Sequence, residues 1–526
     1  MAKVVYVPLD ERPCNFQYPK ALADMTDMEM VLPDSNILGK MKLPANGPLL
    51  IKWLEEETKT ADYLIVSIDM LIYGGIVPSR LHQLTVQECL ERLSILRVIK
   101  KQNPSIEIYA YNLIMRVPNY DSSEEEPNYY EQHGRKIFRL GWLTDKKEQK
   151  IFSKEDEEEL ASVERELPKE IEADYLGRRK KNFSVTAEVV NMVDNGEIDY
   201  LIIPLDDNSK YGFTAKEQRQ FMYQIDRLNL MDKINIYPGA DEIACTLFAR
   251  VFCQANQYTP ELAVRYSSTN GPFIIPKYED RSLSESIKAH ITSAGGVIVS
   301  DEKDNDLILM VHSPAVGQQE MSESSFALET RHRSYFSEVN IREFVQAMKH
   351  FIRKGRNVAL ADVAICNGAD LSLMQLVNKE GLLSDLIAYA AWNTNGNTMG
   401  TVVSHAIIAS YYKKREAGAE HEKNSRNFFY ARLVEDWGYQ AVVRKRVSYE
   451  ILPTMDLTPR NLEDQVSEVT YLVARLLGNF VDTNLSDLPE GKIELKNVRL
   501  PWNRMFEVGF KLEVNEKVSN SKHGGK

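Results

Sequence analysis

The sequence predicts an α/β protein: two Rossmann-like lobes with mainly parallel sheets and an inserted helical arm. Three observations carry this. Short apolar runs alternate with helical patterns along the first half of the chain, and several end abruptly in carboxylates, as strands do at the carboxyl edge of a parallel sheet. An acidic, helical stretch from about 118 to 176 interrupts that series. A second series of apolar runs and helices begins at Leu262. A (β/α) barrel with an extra domain is the alternative, since it too gathers strand ends on one face. The runs Val297–Val299 and Leu307–Val311 lie too close together for a full helix between them, which favours open sheets. The chain of 526 residues exceeds one compact core. The expected division is 1–260, 261–415 and a helical and mixed extension, 416–526.

In order, Val4–Pro8 reads as the first strand, ending in Asp10-Glu11-Arg12-Pro13 with Asn15 beyond. Met28–Pro33 is the second, ending at Asp34, and Gly47–Lys59 the helix after it. Asp62–Ile68 ends at Asp69, with Tyr73 and Arg80 beyond. Val86–Lys101 has Leu90, Leu93, Leu96 and Ile99 on one face, a helical period. Ile106–Ile114 leads to Arg116. The arm's glutamate runs, Glu124–Glu126 among them, read as a solvated face. Tyr129, Tyr130, His133 and Gly134 are the part expected to fold back over a pocket. Phe183–Asn195 returns to the sheet as a helix. Tyr200–Pro204 then ends in Asp206-Asp207-Asn208, and Thr214 with Glu217 forms a capping box for the next helix. Ile234–Tyr237 ends in Gly239-Ala-Asp241-Glu242.

The second series runs Leu262–Tyr266 (then Ser267, Ser268 and Asn270), helix Ser282–Ser293, Val297–Val299, and Leu307–Val311 with His312. Helix Ile341–Arg353 and strand Val358–Ala361 with Asp362 follow. Asp370 opens a helix, and Leu386–Ala391 leads to Trp392-Asn393-Thr-Asn395-Gly-Asn397-Thr398 and an apolar helix. The tail is less periodic: helices at Asn427–Trp437 and Leu462–Leu477, a strand at Met505–Val514, and a frayed end from Asn515 to Lys526.

Composition narrows the function. Net charge is -12 with pI near 5.5, so neither nucleic acid nor an anionic membrane is an expected partner. No run is long and apolar enough to span a bilayer, and the N-terminus lacks a signal peptide's apolar core. Five scattered cysteines suit reduced thiols, so a cytoplasmic location is expected. No Walker A, G-x-G-x-x-G or G-x-S-x-G pattern follows a strand, which disfavours ATP, NAD and serine hydrolysis.

What the strand ends do hold is carboxylates, amides and arginines. Such side chains bond hydroxyl groups, and Trp392 could stack on a sugar ring. Glycoside hydrolysis needs two carboxyl groups, and adjacent carboxylates push their proton affinities apart. The candidate catalytic residues are therefore Asp206, Asp207, Asp241 and Glu242. The candidate substrate-binding residues are Asp10, Glu11, Arg12, Asn15, Asp69, Arg116, Asn208, Tyr211, Asn270, Trp392, Asn393 and Asn397. No cofactor is expected; a divalent metal on Asp206, Asp241, Glu242 and His312 is the competing possibility.

Asp10-Glu-Arg-Pro13, Leu205-Asp-Asp207, Asp241-Glu242 and the Trp392–Thr398 motif together resemble a bacterial, Firmicutes-type family known only as a domain of unknown function. The resemblance covers nearly the whole chain and implies no activity. Pro204-Leu-Asp-Asp207 is locally similar to the paired aspartates of O-GlcNAcase and hyaluronidase-type glycosidases. That likeness implies that Asp206 orients the substrate's acetamido group and Asp207 is the acid. The leading expectation is a glycosidase-like hydrolase of a small glycoside or amino sugar. The alternatives are a metal-dependent hydrolase or isomerase, and a non-enzymatic two-lobed binding protein. A homo-oligomer is compatible with all three.

Overall fold

The computed structural model describes residues 1–300, 305–316, 329, 331–415, 418–486 and 488–515. Two sheets carry the fold, and every pairing in them is parallel. The first holds β1 (Lys3–Val7), β2 (Glu29–Val31), β3 (Tyr63–Ser67), β4 (Glu107–Tyr111), β5 (Tyr200–Leu205) and β6 (Ile234–Pro238). Its order is β2-β1-β3-β4-β5-β6. The second holds β7 (Glu261–Tyr266), β8 (Val297–Ile298), β9 (Leu307–His312), β10 (Val358–Asp362) and β11 (Ala388–Ala390), in the order β11-β10-β9-β7-β8. The closely spaced pair β8 and β9 therefore flanks β7, with β8 on the edge.

Counted from its own first strand, the second sheet repeats the order of the first, 2-1-3-4-5, which the first extends by one strand. Each sheet thus changes winding direction between its first and third strands, where ligands bind in doubly wound folds. The inner strands β1, β3, β4, β5, β9 and β10 are almost wholly buried, which is why they read as unbroken apolar runs. The two sheets are not separately cored. Val4, Tyr6 and Ile65 of the first pack in one cluster with Leu307, Leu309 and Val311 of the second. Helix Ile243–Ala255 joins them through Phe248 and Phe252, and helix Asn395–Lys414 through Val402 and Ile407.

The acidic arm is three helices, Tyr130–Glu148, Lys154–Glu166 and Lys169–Asp194. They enclose a small core of their own, with Tyr130, Ile137, Leu140, Leu160 and Tyr175. The expected returning helix at Phe183 is the second half of the third arm helix. Other local expectations shift. The helix at Val86 breaks at Ser94 into Val86–Leu93 and Ile95–Gln102. The Thr214–Glu217 capping box does not form. Helix Phe213–Arg227 starts two residues earlier, capped at Gly212, while Thr214 donates to the Met115 carbonyl and Arg179 holds Glu217 at 2.8 Å.

The tail packs mainly on the second lobe through Phe429, Trp437, Val473 and Leu477. Its helices are Ala419–Arg432 and Val466–Asn484, with a π-helical stretch at Leu433–Val443. It ends in an antiparallel hairpin, β12 (Lys492–Arg499) and β13 (Gly509–Asn515). Only the second of those strands was expected. The expectation of fraying at 516–526 lies outside the described residues. Among the described residues, no helix is long and apolar enough to cross a membrane.

Candidate functional site

At the carboxyl edge of the first sheet the loop residues turn polar. A parallel sheet leaves its last carbonyls and the following loops on one side, so residues far apart in sequence meet there. β1 delivers Asp10, Arg12 and Asn15. The segment after β3 delivers Asp69 and Arg80, that after β4 Arg116, that after β5 Asp206 and Asp207, and that after β6 Asp241. All but Asp69 lie in one network of ion pairs and hydrogen bonds.

Arg12 is its hub. The guanidinium donates to Asp10 at 3.0 and 2.7 Å, to Asp241 at 2.6 and 3.3 Å, and to Glu507 at 2.9 Å. Asn15 donates to Asp10 at 3.0 Å and to Asp241 at 2.9 Å. One nitrogen of Arg12 and one of Asn15 each touch both carboxylates, so Asp10 and Asp241 sit side by side. Burial raises Asp241, Arg12 offsets part of this, Asp10 adds to it, and its pKa settles at about 6. Trp502 stacks 4.5 Å from the Arg12 guanidinium and donates its indole N–H to Glu11 at 2.6 Å. Burial and the Asp10 charge raise Glu11 as well.

Two more arginines serve the far half. Arg80 donates to Asp206 at 2.8 Å, to Glu125 at 3.0 Å and to Glu126 at 3.3 Å. Arg116 donates to Asp207 at 3.2 Å, to Glu125 at 3.0 Å and to Glu126 at 2.8 Å. Asp207 is held in the left-handed region, φ 42°, a conformation Asp and Asn adopt more readily than most residues. Burial and then the Asp206 charge raise its pKa to about 6. Its side chain keeps 22% of its surface exposed and that of Asp206 keeps 15%. This is the wet end of the network.

Other candidates are placed differently. Asp69 is buried at the base, accepting from Leu113 N at 2.9 Å and Asn112 at 3.2 Å; burial raises it to about 6. Asn208 is buried with neither side-chain polar atom bonded, while its backbone N–H donates to the Tyr278 carbonyl at 3.0 Å. Tyr211 packs edge-on against Trp142 at 5.1 Å. Glu242 turns away from Asp241 and is fully buried between the lobes. It accepts from Ala240 N at 3.0 Å and lies 3.3 Å from His290 Nε2. Gly239 and Gly400 flank it, and a Cβ on either would fall within 2.1 Å of its side chain.

The Trp392–Thr398 motif builds a helix start. Trp392 is 2% exposed, its ring edge-on to Tyr18 and its indole N–H donating to Thr401 at 3.1 Å. It packs in the core and offers no open sugar platform. Thr394 caps the helix, and Asn397 accepts from Asp241 N at 3.1 Å. Asn393, also at positive φ, accepts from Asn367 N at 2.9 Å. Asn270 is exposed on the second lobe and donates to Glu338 at 3.0 Å.

The metal alternative loses its ligand set. Asp206 and Asp241 belong to the arginine network, Glu242 faces His290, and His312 lies on the second sheet. Among the described residues no group of three or more His, Cys, Asp or Glu is arranged to hold a metal ion. His312 sits at the second lobe's own change of winding, 2.9 Å from Ser267 Oγ and 3.3 Å from Asp370. Burial would lower it, but Asp370 and Asp362 outweigh that and raise it.

Sequence reasoning missed the cover. Glu124–Glu126 read as solvated, yet Glu126 is buried and Glu125 is gripped by arginines. Burial alone would raise Glu125; Arg504, Arg116 and Arg80 outweigh it and hold the carboxyl well below the usual range. The tail adds Trp502, Arg504 and Glu507. Arg504 pairs with Glu124 at 3.5 Å, with Glu507 at 3.1 Å, and with Glu125. A family model described as a protein of unknown function, DUF4127, matches residues 4–511. The chain belongs to the DUF4127 family. The match runs from β1 to β13, so it takes in both lobes, the arm and the tail residues that close the DUF4127 network. Among curated proteins none matches it.

Proposed function

We propose that this protein is a glycosidase-like hydrolase of small, polar substrates, acting at the carboxyl edge of its first sheet. The observation that carries the reading is Asp207. Burial and the adjacent Asp206 lift its pKa to about 6, it is partly exposed, and a left-handed backbone fixes its direction. A carboxyl group that keeps its proton near neutrality is what a general acid requires.

In this scheme Asp207 gives its proton to the leaving oxygen of the glycosidic bond. Asp206, anchored by Arg80 at 2.8 Å, faces the positive charge that develops at the sugar carbon. Water supplies the hydroxyl of the new hemiacetal, and its proton returns to Asp207. Asp10 and Asp241, side by side on Arg12 and Asn15, bring two further carboxylates to the same sheet edge. The shared core of the two lobes weighs against a binding module that opens and shuts between them.

The test is a panel of aryl glycosides, α and β, neutral, N-acetylated, and bearing a carboxylate or phosphate on the sugar, with wild type and Asp207→Asn, with and without EDTA. Turnover that survives EDTA and falls about 10²–10⁴-fold in the variant is expected. A folded protein silent across the panel overturns the reading; EDTA-sensitive turnover moves it to a metal.

A further inference from the structure

We infer that Arg80, Arg116 and Arg504 form a binding site for an oxyanion, a phosphate or carboxylate group, and that the protein's own Glu125 occupies it. Three guanidinium groups from distant parts of the chain converge on this one carboxylate. Arg80 and Arg116 each reach the same oxygen at 3.0 Å, and Arg504 holds the other. Planar forks of this kind match carboxylate and phosphate oxygens in pairs.

Each arginine also has a second carboxylate elsewhere: Asp206 for Arg80, Asp207 for Arg116 and Glu507 for Arg504. The cradle therefore does not depend on Glu125 for all its charge balance. Glu126, 1% exposed, braces Arg80 and Arg116 from behind at 3.3 and 2.8 Å. Glu125 lies on the outer side, 17% exposed, in the irregular loop between β4 and the arm. With Glu125 displaced, the N–H groups of Arg80, Arg116 and Arg504 that it occupies are freed beside Asp206 and Asp207. A bound anion would stand one guanidinium away from each, because Arg80 and Arg116 bridge Glu125 to both.

The inference rests on the proposed function in one respect: it makes the substrate an anionic one, a sugar acid or a phosphorylated sugar. Its own evidence is the arginine convergence. Removing a competitor tethered to the site raises the apparent affinity for any free anion that takes its place. Titration calorimetry of the full chain with inorganic phosphate, and in parallel with acetate, compares wild type with Glu125→Gln at matched ionic strength.

The expected result is at least about tenfold tighter binding of one anion by Glu125→Gln. The gain should vanish when Arg504→Gln is added. Phosphate preference assigns a phosphoryl group and acetate preference a carboxylate. If Glu125→Gln does not fold, Glu125→Asp withdraws the carboxylate by one methylene, and a smaller gain is expected. Folded variants that bind neither anion better than wild type overturn the inference. The readout is binding, so a gain here with silent aryl glycosides refutes only the hydrolase reading, and turnover without a gain refutes only the anion site.

Discussion

Replacing Arg12 by Met tests the arginine network most directly. Met keeps most of the apolar volume beside Trp502 and removes the charge and five hydrogen bonds to three carboxylates, Asp10, Asp241 and Glu507. Their side chains are only 5, 8 and 4% exposed, so solvent cannot replace the lost donors. Breaking a buried ion pair by deleting one partner costs about 3–5 kcal/mol. The loss is not tripled, because the stranded Asp241 can take up a proton. Asp241 titrates at about 6 even with Arg12 present. Protonating such a group costs about 1.4 kcal/mol at pH 7 and almost nothing at pH 5. The expected destabilisation is therefore about 4 kcal/mol at pH 7.5, falling to about 2 kcal/mol at pH 5. Urea unfolding followed by far-ultraviolet circular dichroism measures it. A loss under about 1 kcal/mol at pH 7.5, or one that does not shrink at pH 5, would refute the view that Arg12 neutralises buried charge.

Asp69, Asp207 and Asp241 all have folded pKa values of about 6, above the unfolded range. The folded state therefore binds more protons than the unfolded one between about pH 4 and 6, and stability falls as pH rises through that window. Thermal unfolding should show a higher midpoint at pH 5 than at pH 7.5, and Asp69→Asn should narrow the difference; an equal or lower midpoint at pH 5 contradicts the pKa assignments. Gly400→Ala sets a Cβ 2.0 Å from Glu242 Cγ, so it should cost about 1–3 kcal/mol in a urea titration. Glu242→Ala in the same chain should recover part of that cost in a double-mutant cycle, and strict additivity would show that the two do not press on each other.

The strand ends were legible because central parallel strands are unbroken apolar runs, and whatever follows one lands at the carboxyl edge. That logic places Asp10, Asp69, Asp206 and Asp241 together without any knowledge of pairing. It does not reach Arg504 or Glu507, which join Arg12 from nearly 500 residues away along the chain. Nor does it reach Glu125, because local composition cannot tell a glutamate that meets water from one that meets arginines. The Thr214–Glu217 pattern failed for a related reason: Arg179, 38 residues back, is a stronger partner for Glu217 than a backbone N–H. Trp392 failed because an aromatic beside asparagines describes a sugar platform and a buried helix start equally well. The matching strand order of the lobes was invisible, since pairing order is set by contacts between strands.

That shared order gives the chain two places where winding reverses, and their chemistry differs in a way that selects one. At the second, His312 and Asp370 are fully buried, and Ser267 already accepts from Ser313 N at 3.0 Å. Asp370 also caps the helix Leu371–Lys379 and accepts from Tyr335 at 3.1 Å. Its bonds are spent on joining β7, β9 and that helix. At the first, eight carboxylates (Asp10, Asp206, Asp207, Asp241, Glu124, Glu125, Glu126 and Glu507) face four arginines, Arg12, Arg80, Arg116 and Arg504. Such an excess of negative charge persists only where some groups hold protons; burial raises Glu124, and lifts Asp207 and Asp241 to about 6. Of these, Asp207 still meets solvent, with 22% of its side chain exposed. A reaction that moves a proton can use the first site, whereas the second could do so only by breaking the bonds that hold its own lobe together.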